Sequence, residues 1–157
     1  MDDFEKFYKA AIRFLSFRPR SEKEVSDYLT KKQCEPLISK RILESLKRDK
    51  FINDQEFLRW WMEQRTILKP KASRIIKFEL KQKGISEELI NDEGLMINDN
   101  LDFENALKLA EKKLRTIHDQ TDRRKVQEKL GRYLASKGFD WDTIKDVIDQ
   151  VLKHPEE

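Results

Sequence analysis

Hydrophobic positions recur along this chain at three- and four-residue spacing, with polar side chains between them. Phe4, Phe7, Tyr8, Ala11, Phe14 and Leu15 fall on one face at 100° per residue, which predicts a helix over 3–17. Phe17-Arg18-Pro19-Arg20 breaks it, because the residue before a proline is pushed out of helical geometry. Ser21 and Glu24 have capping-box form, a hydroxyl at the N-cap and a carboxylate three residues on. Val25, Tyr28 and Leu29 stripe the second helix. A third runs over about 35–49, with Leu37, Ile38, Ile42, Leu43 and Leu46 predicted inward.

Phe51-Ile52-Asn53-Asp54 is a connector, and Asn53 or Asp54 suits the N-cap of a fourth helix carrying Phe57, Leu58, Trp60, Trp61 and Ile67. The stretch Lys69-Pro70 to Gly84 reads as a fifth helix over 70–83 with both ends marked. Pro70 fits the first turn, where a missing N–H costs nothing, and Gly84 fits the left-handed residue just past the end. Ala72, Ile75, Ile76, Leu80 and the stem of Lys83 fall on one side of it. Lys71, Arg74, Lys77 and Lys81 fall on the other, and Glu79 is the only acid between Arg65 and Lys83. Ser86 opens a short sixth helix with Leu89 and Ile90 inward, and 93–100 reads as the least ordered stretch. A seventh helix is predicted over about 101–117, an eighth capped by Thr121, and a ninth capped by Asp140. The tail from His154 is expected to fray.

These helices fall into three groups whose middle members superimpose. Val25-x3-Leu29-x4-Cys34, Ile76-x3-Leu80-x4-Ile85 and Leu130-x3-Leu134-x4-Phe139 share one spacing, and Leu29, Leu80 and Leu134 lie 51 and 54 residues apart. Lys-Gly occupies the same turn at Lys83-Gly84 and Lys137-Gly138, where the first group has Lys32-Gln33. Matches of spacing and caps together indicate an internal repeat. The expected fold is all-α: three tandem three-helix repeats, over 1–53, 54–98 and 99–157, in an elongated, curved arrangement.

Composition narrows the function. Charged residues make up 40% of the 157 and hydrophobic ones 38%, which suits amphipathic helices and argues against continuous apolar strands. The net charge of +3 says little, but its distribution is uneven: 1–50 is net basic, while every charged residue of 84–104 is acidic. A single cysteine excludes an internal disulfide framework. The amino-terminal MDDFEKFYKA lacks the layout of a signal peptide, and no apolar run approaches the ~20 residues that span a bilayer. The expectation is a soluble, cytoplasmic monomer.

With these motifs laid out, the chain resembles the RecX family, bacterial regulators of the recombinase RecA. The resemblance rests on Arg18-Pro19-Arg20-Ser21-x-x-Glu24-Val25, on Phe51-Ile52-Asn53-Asp54-x-x-Phe57, and on Lys69-Pro70-Lys71 followed by Glu79-Leu80-x-x-Lys83-Gly84-Ile85. The family usually shows an acid pair in place of Asn53-Asp54 and often Glu-Leu in place of Glu24-Val25, and the third repeat matches more loosely. The resemblance implies tandem three-helix repeats in a bent molecule. It also implies a function: binding in the groove of the RecA–DNA filament and altering its activity, usually by inhibition, in recombination and DNA repair. The partner implied is the RecA filament, with single-stranded DNA inside it, and neither catalytic site nor cofactor is implied. The alternative left open by the residues is a direct DNA-binding protein built of tandem helix-turn-helix-like units.

The basic side of the fifth helix, with Lys69, Lys71, Arg74, Lys77 and Lys81, is the first candidate for partner or DNA contact; the alternative is a solvated face. Phe78 lies within that face and is expected to pack on a neighbouring helix rather than on a partner. Arg18 and Arg20, beside Lys23, either grip phosphate or pair with an acid of their own repeat. Arg123, Arg124 and Lys125 occupy the corresponding place in the third repeat, where positive charge at a helix N-terminus is locally unfavourable. Trp61 and Cys34 are expected in the core, and Trp60, either partly exposed or wedged between repeats, is expected to serve packing as well. His118 and His154 lack ligand-like neighbours, so no metal site is expected. Asp140 and Asp142 are better explained by capping than by acid catalysis.

Overall fold

The computed structural model describes residues 2–93 and 98–153. These form α1 (Asp3–Leu15), α2 (Glu22–Lys31), α3 (Pro36–Arg48), α4 (Asp54–Glu63) continued by a π-helical turn (Gln64–Leu68), and α5 (Ser73–Gln82). Then come α6 (Glu87–Asp92), α7 (Asp99–Leu114), α8 (Arg123–Ser136) and α9 (Trp141–Val151). Among the described residues there is no strand, so the molecule is all-helical as expected. Of the stretch 93–100 that reads as least ordered, 94–97 lie outside the described residues, while Asp99 and Asn100 already belong to α7; the tail from 154, expected to fray, lies outside them too.

The chain divides into two compact units. One comprises Met1–Trp61 with Glu79–Glu93, the other Met62–Phe78 with Gly94–Glu157. The division falls inside α5, whose residues 73–78 belong to the second unit and 79–82 to the first.

In the first unit Ala11, Val25, Leu29, Ile42, Leu46 and Ile52 form a closed core, which Cys34 completes. Phe14 stacks on Tyr28 with ring centroids 4.2 Å apart, sealing its edge. Phe57, Leu58, Trp61, Leu80, Ile85 and Ile90 are buried as well. Leu37 is the exception to the predicted stripe. It stands 70% exposed at the second position of α3, because Pro36 opens the helix there and the inward face begins only at Ile38 and Ser39.

In the second unit Leu109, Val126, Leu130, Leu134, Ile144 and Val147 are among the buried residues of the core, with Ala72, Ala106 and Ala110 letting backbones approach closely. α8 is capped by Asp122, which accepts from Lys125 N–H, and not by Thr121 as predicted. Thr121 instead bonds Asp119 within the preceding turn.

The repeated turn is held in the same way in each repeat. Gln33, Gly84 and Gly138 all have positive φ (65°, 80° and 93°). A Cβ on Gly84 would lie 2.5 Å from the Lys23 Cβ, and one on Gly138 2.5 Å from the Ile75 Cγ1. Glycine is thus demanded twice over at these two turns, by conformation and by a packed neighbour.

Candidate functional site

α5 begins at Ser73, three residues later than Pro70 predicts. The cause is a tertiary cap. The buried Asp102 carboxylate of α7 accepts from Ser73 N–H at 2.7 Å and from Ser73 Oγ at 3.1 Å, satisfying donors that open the helix. Ahead of it, Asn105 Nδ2 donates to Lys71 O (3.1 Å) and Ala72 N–H to Lys137 O (3.4 Å), holding 71–72 out of the helix. Lys69 and Lys71 therefore lie on the connector, while Arg74, Lys77 and Lys81 lie on α5.

The basic side chains differ in what already holds them. Lys69 is exposed, and Lys71 and Lys77 are half-buried. Arg74 donates from Nε to Gly138 O at 2.6 Å, capping the turn after α8. Its charge also contributes to holding the Asp140 carboxyl below its usual range, after the hydrogen bonds from Thr143. Lys81 Nζ lies 3.5 Å from Glu87. Apolar side chains stand exposed along the same segment of the second unit: Ile67 is 64% exposed, Leu68 65% and Phe78 60%. The expected packing of Phe78 on a neighbouring helix is thus overturned. The π-helical turn at 64–68 shifts the phase of the α4 stripe, so Leu68, which a regular helix would carry on the side of Phe57 and Trp61, is turned to solvent.

Arg18 and Arg20 face inward to one carboxylate. Arg18 makes a two-pronged ion pair with Glu24, Arg20 approaches it at 4.0 Å, and Lys83 at 3.5 Å. Glu24 also accepts from Ser21 N–H, completing the predicted capping box, and Ser21 Oγ donates to Lys83 O at 2.7 Å. Aromatic faces receive the cations. Arg18 lies 5.6 Å from the Trp60 ring centroid, Arg20 3.9 Å from Phe14, and Lys83 5.4 Å from Trp61. Burial works to raise the Glu24 carboxyl, but hydrogen bonds from Arg18 and Ser21 and the charges of Arg18 and Lys83 outweigh it and hold it below its usual value. Lys23 stays outside this cluster, 3.2 Å from Asp27.

Arg123, Arg124 and Lys125 are exposed. Arg123 donates to Leu152 O at the end of α9 (2.9 Å), and Arg124 lies 3.5 Å from Glu128. Trp61 and Cys34 are buried at 8% and 7% exposure, as expected. Burial, then the charges of Asp3 and Glu35, raise the Cys34 thiol, which makes it a poor nucleophile. Asp140 caps α9, accepting from Thr143 N–H at 2.8 Å. Among the described residues no group of three or more His, Cys, Asp and Glu could hold a metal ion, and no helix is long and apolar enough to cross a membrane. Asp102, the residue that sets where α5 starts, had no signal in the sequence beyond an acid in the first turn of its own helix.

Comparison with known proteins agrees with this architecture. Residues 8–46, 53–92 and 100–148 match the first, second and third three-helix domains of RecX. The chain is 33% identical over 152 residues to the regulatory protein RecX of Clostridium tetani, covering 96% of this chain and 69% of that one. It is 31% identical over 156 residues to the regulatory protein RecX of Bacillus pumilus, covering 99% of this chain and 59% of that one. Among solved structures it is similar to the crystal structure of RecX from Lactobacillus salivarius, with a TM-score of 0.74, 31% identity and coverage of 96% and 97% of the two chains. The chain belongs to the RecX family.

Proposed function

We propose that this chain binds the RecA nucleoprotein filament and lowers its recombinase and ATPase activity in recombination and repair. It acts as a cytoplasmic monomer with no catalytic step of its own. The observation that carries this reading is the match of all three RecX domains, in order, over nearly the whole chain. We divide it functionally into repeats 1–53, 54–98 and 99–157, each offering modest contacts that add through effective concentration. In the second unit, Lys69, Lys71 and Lys77 provide charge for acidic protein surface or phosphate. In the first unit, Lys81 does the same. The exposed Ile67, Leu68 and Phe78 favour a protein partner over bare DNA, because apolar side chains gain little on a phosphate backbone.

The test is the ATPase rate of RecA on single-stranded DNA as the chain is titrated in, with binding of labelled bare DNA followed at the same salt. Loss of ATPase at concentrations that leave bare DNA unbound supports the proposal. ATPase lost only in proportion to sequestered DNA supports the helix-turn-helix-like DNA-binding alternative instead. Lys69→Glu with Lys77→Glu, and separately Lys81→Glu, are expected to weaken filament binding roughly tenfold with unchanged helical circular dichroism. Unchanged binding by folded variants removes those lysines from the contact. Arg74 is left intact in these variants because it holds Gly138 O.

A further inference from the structure

In the second unit a concavity of about 690 Å3 opens between the end of α7 and one face of α8, within the range of about 300–1,000 Å3 that small ligands occupy. Lys113 and His118 line it from the α7 side, and Lys129, Arg132 and Tyr133 from α8. The spacing 129, 132, 133 and 137 keeps those side chains and Lys137 on one helical face. Lys113 Nζ lies 5.2 Å and Lys137 Nζ 5.5 Å from the Tyr133 ring centroid, so one ring gathers two cations beside the other two.

Like charges gathered this way repel. Arg18, Arg20 and Lys83 solve that by sharing Glu24. Lys113, Lys129, Arg132 and Lys137 make no ion pair among the described residues, and Asp119 is the only acid among those that line the concavity.

What this wall offers is donors, because its acceptors are already taken. Lys113 O receives the Thr116 hydroxyl at 2.6 Å, and Leu114 O and Ile117 O receive the Gln120 amide at 3.1 and 3.0 Å. The Asp119 carboxylate accepts from the Thr121 hydroxyl at 2.6 Å and its N–H at 3.0 Å; these bonds, helped by the Lys129 charge, hold it below its usual range. The ammonium groups, the Arg132 guanidinium and the Tyr133 hydroxyl have no acceptor among the described residues.

A ligand that is all acceptor and multiply charged complements such a wall. A phosphate group is both, and the planar Arg132 fork suits it. A peptide would bring backbone N–H groups that find every nearby acceptor spent. The exposed apolar side chains that a protein partner or a bilayer would use, Ile67, Leu68, Phe78 and Trp141, do not line the concavity.

We propose that the α7–α8 concavity is a phosphate-binding site. Lys113, Lys129 and Arg132 hold the phosphate oxygens, the Tyr133 hydroxyl donates a further bond, and Lys137 adds charge behind the ring. The ligand is a nucleotide phosphate, and its source is either a free nucleoside triphosphate or the backbone of a strand.

The test is an NMR titration of the full chain at low salt with inorganic pyrophosphate, ATP and a thymidine oligonucleotide. Citrate and a hexaglutamate peptide serve as carboxylate probes. Pyrophosphate is expected to move the amides of Lys129, Arg132 and Tyr133. Lys129→Glu with Arg132→Glu is expected to weaken it about tenfold or more with unchanged helical circular dichroism. Tyr133→Phe, which removes one donor, is expected to weaken it about threefold. Lys40→Glu with Lys153→Glu makes the same change of charge on exposed residues elsewhere and is expected to stay within about twofold. Tighter binding of ATP, undisturbed by the oligonucleotide, assigns the site to free nucleotide; displacement of pyrophosphate by the oligonucleotide assigns it to a strand. The proposal is overturned by absent shifts at these amides, by equal weakening in the charge-matched control, or by citrate or hexaglutamate binding as tightly as pyrophosphate.

Discussion

The entrances to α2 and α8 carry the same sequence feature, a run of cations at the start of the middle helix of a repeat, and use it in opposite ways. At α2, Arg18 and Arg20 turn inward onto Glu24, join Lys83 there, and lie over Phe14 and Trp60. At α8, Arg124 and Lys125 stay on the surface, and only Arg123 reaches back, to a carbonyl at the end of α9. The difference is one acid. Glu24 sits at the third position of α2, where the capping box already orders it, so a carboxylate waits 13% exposed beside the cations. The third position of α8 is Lys125, so no such centre exists. A cationic run thus becomes a structural clamp where a buried acid collects it. Without one it is a surface, and Arg123 at the α9 C-terminus offsets its unfavourable place at the start of α8.

Removing the acid breaks the comparison most directly. Glu24→Gln leaves Arg18, Arg20 and Lys83 without their common partner and is expected to cost about 3 kcal/mol in urea unfolding. A loss under about 1 kcal/mol overturns the clamp. The same variant has a pH signature. The Glu24 carboxyl is held below its usual 4.5, so its contribution is complete above that pH and fades as pH falls through the depressed value. The penalty of Glu24→Gln should therefore be constant near neutrality and shrink toward pH 3; a penalty that grows in acid contradicts the assignment.

The next effect concerns the turns. Gln33 takes φ 65° where the other repeats have glycine. Gln33→Gly should stabilise by about 0.5–1 kcal/mol, backbone relief exceeding the added unfolded-chain entropy. Loss of the α9 carbonyl contact in Arg123→Ala is expected to cost about 0.5–1 kcal/mol. Smallest of all, Arg124→Ala should stay within about 0.5 kcal/mol of the parent, since its pair with Glu128 is exposed. Equal costs for Arg18→Ala and Arg124→Ala would erase the distinction between the two entrances.

Helix identity was legible because amphipathic stripes and caps are local. Ser21 with Glu24, Ser86 and Asp140 cap where the sequence places them, and Leu29, Leu80 and Leu134 are all fully buried. The candidate site was legible only as charge. Nothing local says that Arg74 is held by Gly138 O, that Lys71 lies ahead of the helix, or that Phe78 faces solvent. Each depends on groups distant in the chain, and the exposure of Leu68 depends on a π-helical turn that shifts the phase on which stripe counting relies.

By itself, then, the sequence determined the helical class, the threefold repeat and the residues that fill each core, because 3.6-residue periodicity and capping are properties of short segments. Only the tertiary structure decided where α5 begins, through Asp102, and which cations are clamps and which are surface, through Glu24. Both decisions turn on a carboxylate shielded from water, and its effect depends on which donors the fold brings within hydrogen-bonding distance.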